Sequence, residues 1–193
     1  MLAKSHPSCK VLNGTEGAGL AWCPMNPVDH KSTPEASLGI HRRLARIPPP
    51  PAFAFPLVIG LLLGRWIALP IVSPSALGIA RAVGIALLAL GFALAVACVA
   101  LFARRRTTIV PHRRASSLVT VGPYRLTRNP MYVSLTLLYL GVAVLGNVLW
   151  PLLLLVGPLL LVALVHIPME EGILGEAFGE EYRLYTSRVR RWL

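Results

Sequence analysis

Acidic residues are what this 193-residue chain lacks. It carries 19 Lys and Arg against 8 Asp and Glu, and between Ala36 and Met169 there are twelve basic residues and no acidic one. Charged residues make up only 14% of the chain and hydrophobic ones 55%, which excludes an ordinary soluble domain with a quarter of its residues charged. A chain this apolar is not disordered throughout either. Cysteine is scarce as well: Cys9, Cys23 and Cys98 make no disulfide framework, and no redox role is indicated. His6, Cys9, Cys23 and His30 do not have the spacing of paired zinc ligands, so no metal is expected. Nucleic-acid binding would need arginines interleaved with aromatics on a soluble face, whereas here they flank long apolar runs.

What is present is a set of apolar runs separated by basic loops. Ala82 to Ala103 is 22 uncharged residues between Arg81 and Arg104, long enough as a helix for a hydrocarbon core of about 30 Å. Ala52 to Val72 is similar, with Arg65 able to snorkel from near a helix end. Met131 to Val165 is too long for one crossing and has Gly146, Asn147 and Pro151 near its middle, so it reads as a helical hairpin, with Pro158 kinking its second arm. The expected architecture is an all-α, polytopic membrane bundle of about four spans (52–72, 82–103, 131–146 and 148–167) within a domain over 48–193. The segments before the first span, between the second and third, and after the fourth hold six, seven and four Lys and Arg. By the positive-inside rule both termini face the cytoplasm.

Residues 1–47, interrupted by Pro7, Pro24, Pro27 and Pro34, read as a disordered tail without the apolar core of a signal peptide. A cytoplasmic tail would leave the sequon at Asn13 unused. Pro48 to Pro51 form a stiff lead-in to the first span.

The chemistry is expected in two stretches, 104–132 and 166–193. In the first, Gly122-Pro123 predicts a turn and Pro130 the first turn of a helix, which sets Arg128 and Asn129 at a helix start able to attract an anionic group. Equally open is that Asn129 only caps the helix while the arginines grip lipid phosphates. In the second, a helix continuing past Pro168 would put His166 and Glu170 on one face. Phe178-Gly179 reads as a helix end, followed by a new amphipathic helix. Leu174, Phe178, Tyr182, Tyr185, Val189 and Trp192 keep its apolar spacing, Glu180 and Glu181 open it, and Arg188, Arg190 and Arg191 close it as surface residues.

Leu118-Val119-Thr120, Gly122-Pro123-Tyr124, Arg128-Asn129-Pro130-Met131-Tyr132, the apolar hairpin, Glu170-Glu171, and Phe178-Gly179 with Tyr182 and Tyr185 together resemble the isoprenylcysteine carboxyl methyltransferase and phospholipid methyltransferase superfamily. The resemblance implies an integral membrane enzyme that binds S-adenosylmethionine in a pocket made by loop and tail, with a lipid-side entrance for the methyl acceptor. It assigns cofactor contacts to Ser117, Leu118, Val119, Tyr124, Asn129, Pro130, Met131, Tyr132 and Glu170. Asn129 stands where the superfamily has His, and His166 where prenyl-cysteine enzymes place an Arg, which weakens a carboxyl-methylating assignment.

Chemistry points the same way: a zwitterionic nucleoside with a sulfonium needs a cationic end, for which Arg128 is suited, and an acidic end, for which Glu170 and Glu171 are suited. Tyr124 and Tyr132 could favour the sulfonium through their faces. Arg128, Glu171 and His166 are the candidate catalytic residues; Glu171 or His166 would deprotonate an acceptor, or merely orient neighbours. The implied partners are membrane lipids and a lipidic or amphipathic acceptor. Two other classes stay open: a nicotinamide-dependent membrane reductase of the steroid-reductase type, and a membrane scaffold whose basic loop and acidic tail only hold each other.

Overall fold

A computed structural model of the chain describes residues 44, 46–104 and 118–192. The expected tail up to residue 43, with Cys9, Cys23, His6, His30 and Asn13, lies outside the described residues, as do most of the arginine-rich loop and Ser117. Every regular element among the described residues is helical. In chain order these are α1 (Pro49–Trp66), α2 (Leu77–Arg104), α3 (Pro130–Leu145), α4 (Leu149–Leu154), α5 (Val156–Leu161) and α6 (Ile167–Arg188). A 3₁₀ turn at Pro74–Ala76 leads into α2, another at Gly122–Arg125 precedes α3, and a π turn at Val162–His166 joins α5 to α6.

Two helical runs are long and apolar enough to cross a membrane, Pro74–Arg104 and Leu149–Arg188, and the apolar helix Pro130–Leu145 is shorter. The helices carry large apolar side chains on their outward surfaces, among them Phe55, Val58 and Leu62 on α1, Ile79, Val83 and Leu90 on α2, and Leu153, Leu160 and Leu164 along the last run. Water would penalise such a surface; hydrocarbon does not.

Since lipid gives apolar helices no hydrophobic reason to associate, close contact must come from small residues. A Cβ on Gly141 of α3 would stand 2.7 Å from Leu88 and 3.0 Å from the Gly84 carbonyl of α2, and a Cβ on Gly60 of α1 would lie 2.6 Å from the backbone of Pro151. Glycine at these points brings α2 onto α3 and α1 onto α4. Tyr139 fills the space between them: its ring meets Phe53 edge-on at 6.3 Å and its hydroxyl donates to the Pro151 carbonyl at 2.7 Å.

Several boundaries differ from the sequence expectation. The first helix stops at Trp66 rather than Val72, because 67–73 is drawn into a loop by the hairpin turn opposite. There Asn147, at φ 49°, accepts from the Ile71 and Val72 N–H groups at 2.9 Å each and donates to the Val72 carbonyl at 3.1 Å. The Leu149 N–H and the Trp150 indole N–H bond the Leu69 and Ile67 carbonyls, each at 2.9 Å. The second helix starts at Leu77, so Arg81 lies within it. In the last run Leu155 separates α4 from α5 three residues before Pro158, as a proline's missing N–H and ring bulk would dictate.

Candidate functional site

Tyr132, in the first turn of α3, is where the basic loop and the acidic tail meet. Pro130 opens this helix, where its missing N–H costs nothing, and the Asn129 carbonyl receives the N–H groups of Tyr132 and Val133 at 3.1 and 3.2 Å. Buried Tyr132 thereby points its hydroxyl at Glu170 of α6 and donates to Oε1 at 2.6 Å. Among the described residues the other oxygen of Glu170 has no hydrogen-bond partner. Burial pushes the Glu170 carboxyl above its usual range; the Tyr132 hydroxyl and His166 pull it back, and Glu171 adds to the rise.

Tyr124 stands behind this pair. Gly122, at φ 63°, makes the turn that L side chains resist, and the following 3₁₀ turn sets Tyr124 edge-on against Phe102 of α2 at 5.8 Å. Its backbone carbonyl accepts from the Tyr185 hydroxyl at 2.7 Å. Burial first, then Cys98, Glu170 and Tyr185, push the Tyr124 phenol well above its ordinary value. It is a neutral aromatic wall, not a base. Val119 is buried and Leu118 half-buried.

Glu171 faces a different set of partners. It forms an ion pair with Arg128 at 3.0 Å, and Arg191 makes a two-pronged contact with both of its oxygens, Nε at 3.1 Å and Nη2 closer. Arg128 is largely covered, and its Nε is buried without a partner among the described residues. Backbone bonds complete the clasp: the Arg128 N–H donates to the Arg190 carbonyl at 3.0 Å, and the Thr127 hydroxyl and Asn129 amide donate to the Arg191 carbonyl at 3.0 and 2.9 Å. Loop and tail are therefore in direct contact.

These contacts correct the reading of the C-terminal charges. α6 kinks at Gly179, at φ 51°, as the Phe178-Gly179 pair suggests, but it ends at Arg188. Val189 is extended, so it and Trp192 do not continue the helical stripe, and Arg190 and Arg191 do not close the helix. Arg191 is not a bare surface residue: pairing with Glu171 turns the tail back onto the loop. Glu180, bonded to exposed Arg183 at 2.7 Å, and exposed Glu181 and Arg188 do behave as surface helix charges. Thr127 carries no sequence signal, and helical spacing makes Arg191 a surface charge and Trp192 a stripe residue, because the bonds of Thr127 and Asn129 to the Arg191 carbonyl span more than sixty positions with no local motif.

Two expected roles change. Asn129 sits at the cap position yet makes no side-chain cap; its amide holds the tail. His166 is 2% exposed, with Nε2 donating to the Ile47 carbonyl at 2.9 Å and Nδ1 3.4 Å from the Leu161 carbonyl. Both ring nitrogens face main chain, so His166 ties the last helical run to the entry of α1 and offers no open nitrogen as a base. Pro130 is buried at the helix start, and Met131, beside it, is half-buried.

No curated protein and no solved structure matches the chain. The phospholipid methyltransferase family model matches residues 79–181, which runs from α2 through the loop, the hairpin and the Glu170-Glu171 pair to the kink in α6. With more than half its length matched, and with the basic loop and acidic tail joined at Tyr132, Glu170 and Glu171, this chain belongs to the phospholipid methyltransferase family.

Proposed function

We propose that the protein is an integral membrane methyltransferase that uses S-adenosylmethionine and methylates a lipidic or amphipathic acceptor, with four membrane crossings and both termini in the cytoplasm. The observation that carries the reading is the largely desolvated Glu170 carboxylate, held on one oxygen by the buried Tyr132. A half-desolvated carboxylate beside aromatic faces suits a cationic amine and a sulfonium. The opposite, carboxylate end of such a cofactor suits the Met131 N–H at the start of α3, which has no partner among the described residues.

S-adenosylmethionine would supply an electrophilic methyl group, transferred in line to a nucleophile without a covalent enzyme intermediate. The chain's own part is to bind, align and exclude water, levers worth up to about 7–11 kcal/mol when alignment is good. Glu170 holds the amine, Tyr124 and Tyr132 wall the sulfonium, and the Arg128–Glu171–Arg191 clasp keeps the tail closed over them. With both oxygens of Glu171 engaged by arginines and His166 turned to main chain, proton removal falls to solvent or to a loosely bound water. Family membership and the absence of the prenyl-cysteine enzymes' Arg at position 166 favour a lipid amine over a prenyl-cysteine carboxylate.

The test is binding of methyl-labelled S-adenosylmethionine to the full chain in lipid nanodiscs. Glu170→Gln should weaken binding at least about tenfold, the loss expected when a charged hydrogen-bonded partner is removed, while Glu180→Gln leaves it unchanged. Equal binding by the Glu170→Gln variant, or binding of NADPH in place of S-adenosylmethionine, would overturn the proposal.

A further inference from the structure

α2 buries three residues at seven-residue intervals, Gly84, Gly91 and Cys98. The first two are contact points with antiparallel α3: a Cβ on Gly84 would meet Leu145 at 2.7 Å, and one on Gly91 would meet Leu138 at 3.0 Å. One further step of seven along each helix sets Cys98 level with Met131, where α3 has only just begun at Pro130. Here α3 has little left to pack on α2, and the 3₁₀ turn at Gly122–Arg125, which also packs on α2, takes its place. That change of neighbour explains why a side chain stands where the two earlier positions are glycine. Cys98 is 0% exposed, and its thiol lies within hydrogen-bonding reach of the Tyr124 hydroxyl. One helical turn on, Phe102 meets the Tyr124 ring at 90° and 5.8 Å, the edge-to-face arrangement that aromatic pairs favour. A Cβ on Gly122 would come within 3.8 Å of Leu101, next to Phe102, so the backbone of the turn rests on the same stretch of α2. From α6 the Tyr185 hydroxyl bonds the Tyr124 carbonyl at 2.7 Å.

We infer that Cys98 and Phe102 are positioning residues for the cofactor site: the one fixes the hydroxyl of Tyr124 and the other its ring. This rests on the methyl-transfer reading, in which Tyr124 walls the sulfonium, and adds that the wall is set by a membrane-spanning helix rather than by the loop that carries it. A single 3₁₀ turn opened by a glycine at positive φ has little stiffness of its own. A phenol side chain has two torsions, and one contact at its ring with one at its far end restrain both. Cys98 and Phe102 carry no charge, and neither takes part in the hydrogen bond between Tyr132 and Glu170. Freeing Tyr124 therefore costs attraction for a cation at the ring face and leaves the amine's contact with Glu170 in place.

The test compares two ligands, S-adenosylmethionine and its demethylated product S-adenosylhomocysteine, by calorimetry on the full chain in lipid nanodiscs. Both carry the same amine, carboxylate and ribose, so the ratio of their affinities reads the sulfonium. Relative to wild type, Cys98→Ala and Phe102→Leu should each shift that ratio against S-adenosylmethionine by about three- to tenfold, the range spanned by an aromatic pair, with affinity for S-adenosylhomocysteine changed by less than about twofold. Cys98→Ser, whose hydroxyl still reaches the phenol, and Phe102→Tyr should each restore most of the ratio. Val96→Ala, on the exposed face of α2, should leave it unchanged. In a Tyr124→Phe background Cys98→Ala should add nothing, because residues that act through one contact are not additive. Fully additive losses in that pair, or a wild-type ratio in both Cys98→Ala and Phe102→Leu, would overturn the inference and leave methyl transfer standing. A wild-type chain that binds neither nucleoside would overturn the methyl-transfer reading and the inference with it.

Discussion

Tyr132→Phe isolates the contact on which the site turns. The substitution keeps a ring that is 6% exposed and removes only the hydroxyl that donates to Glu170 at 2.6 Å. A hydrogen bond to an ionised group contributes about 1.5–3 kcal/mol, and about 1.4 kcal/mol corresponds to one pKa unit, so the Glu170 pKa should rise by roughly one to two units. The direction follows from the environment: burial already lifts this carboxyl above its usual 4.5, and Tyr132 is the foremost influence opposing the rise. If ionised Glu170 binds the cofactor's amine, affinity for S-adenosylmethionine climbs with pH through the Glu170 pKa and levels off above it. In Tyr132→Phe that climb should move towards alkaline pH by roughly one to two units, with plateaus nearly equal. On the climb itself the variant should bind roughly ten to a hundredfold more weakly. Isothermal titration over a pH series measures this, with Glu170→Gln as the flat, weak control. A climb that stays in place or moves towards acid refutes the reasoning, as does a loss equal at every pH.

Further expectations follow from the same contacts. A carboxyl raised by burial binds its proton more tightly folded than unfolded; its contribution to stability is thus fully present below 4.5 and lost as pH rises through the folded value. The melting temperature of the ligand-free protein should fall over that window, and Glu170→Gln should flatten the fall. Glu171→Gln weakens the pairs to Arg128 and Arg191 and should release the tail at a cost of about 1–3 kcal/mol, seen as faster tryptic cleavage after Arg188 or Arg190. Asn147→Ala loses three hydrogen bonds and meets an unfavourable φ, together about 2–4 kcal/mol, while Asn147→Gly keeps the turn and should lose less; chemical unfolding in detergent ranks them. Gly60→Ala drives a Cβ into the Pro151 backbone and should destabilise by about 1–3 kcal/mol, whereas Gly78→Ala meets nothing within 4 Å and should stabilise by about 0.5–1 kcal/mol.

Local chemistry explains which features were legible. Apolar runs bounded by arginines, the Gly146-Asn147 turn, Pro130 at a helix start and Gly179 at a helix break each depend on a few neighbouring residues, and the structure has helices and breaks close to these points. The motifs from Leu118 to Tyr132 and at Glu170-Glu171 were enough for the family. Periodicity failed at Val189 and Trp192, because a stripe of apolar residues reads alike whether the chain stays helical or turns extended to reach a partner.

The sequence by itself determined an apolar chain of helical runs with no acidic residue between Ala36 and Met169 and five in the stretch that follows, since hydrophobicity and charge order are properties of residues in line. Which carboxylate does what was decided only by tertiary structure. Glu170 and Glu171 are adjacent and chemically identical, yet one is desolvated against Tyr132 and the other neutralised by Arg128 and Arg191. Consecutive side chains on a helix point about 100° apart, so their partners come from segments more than a turn away in space and tens of residues away in sequence.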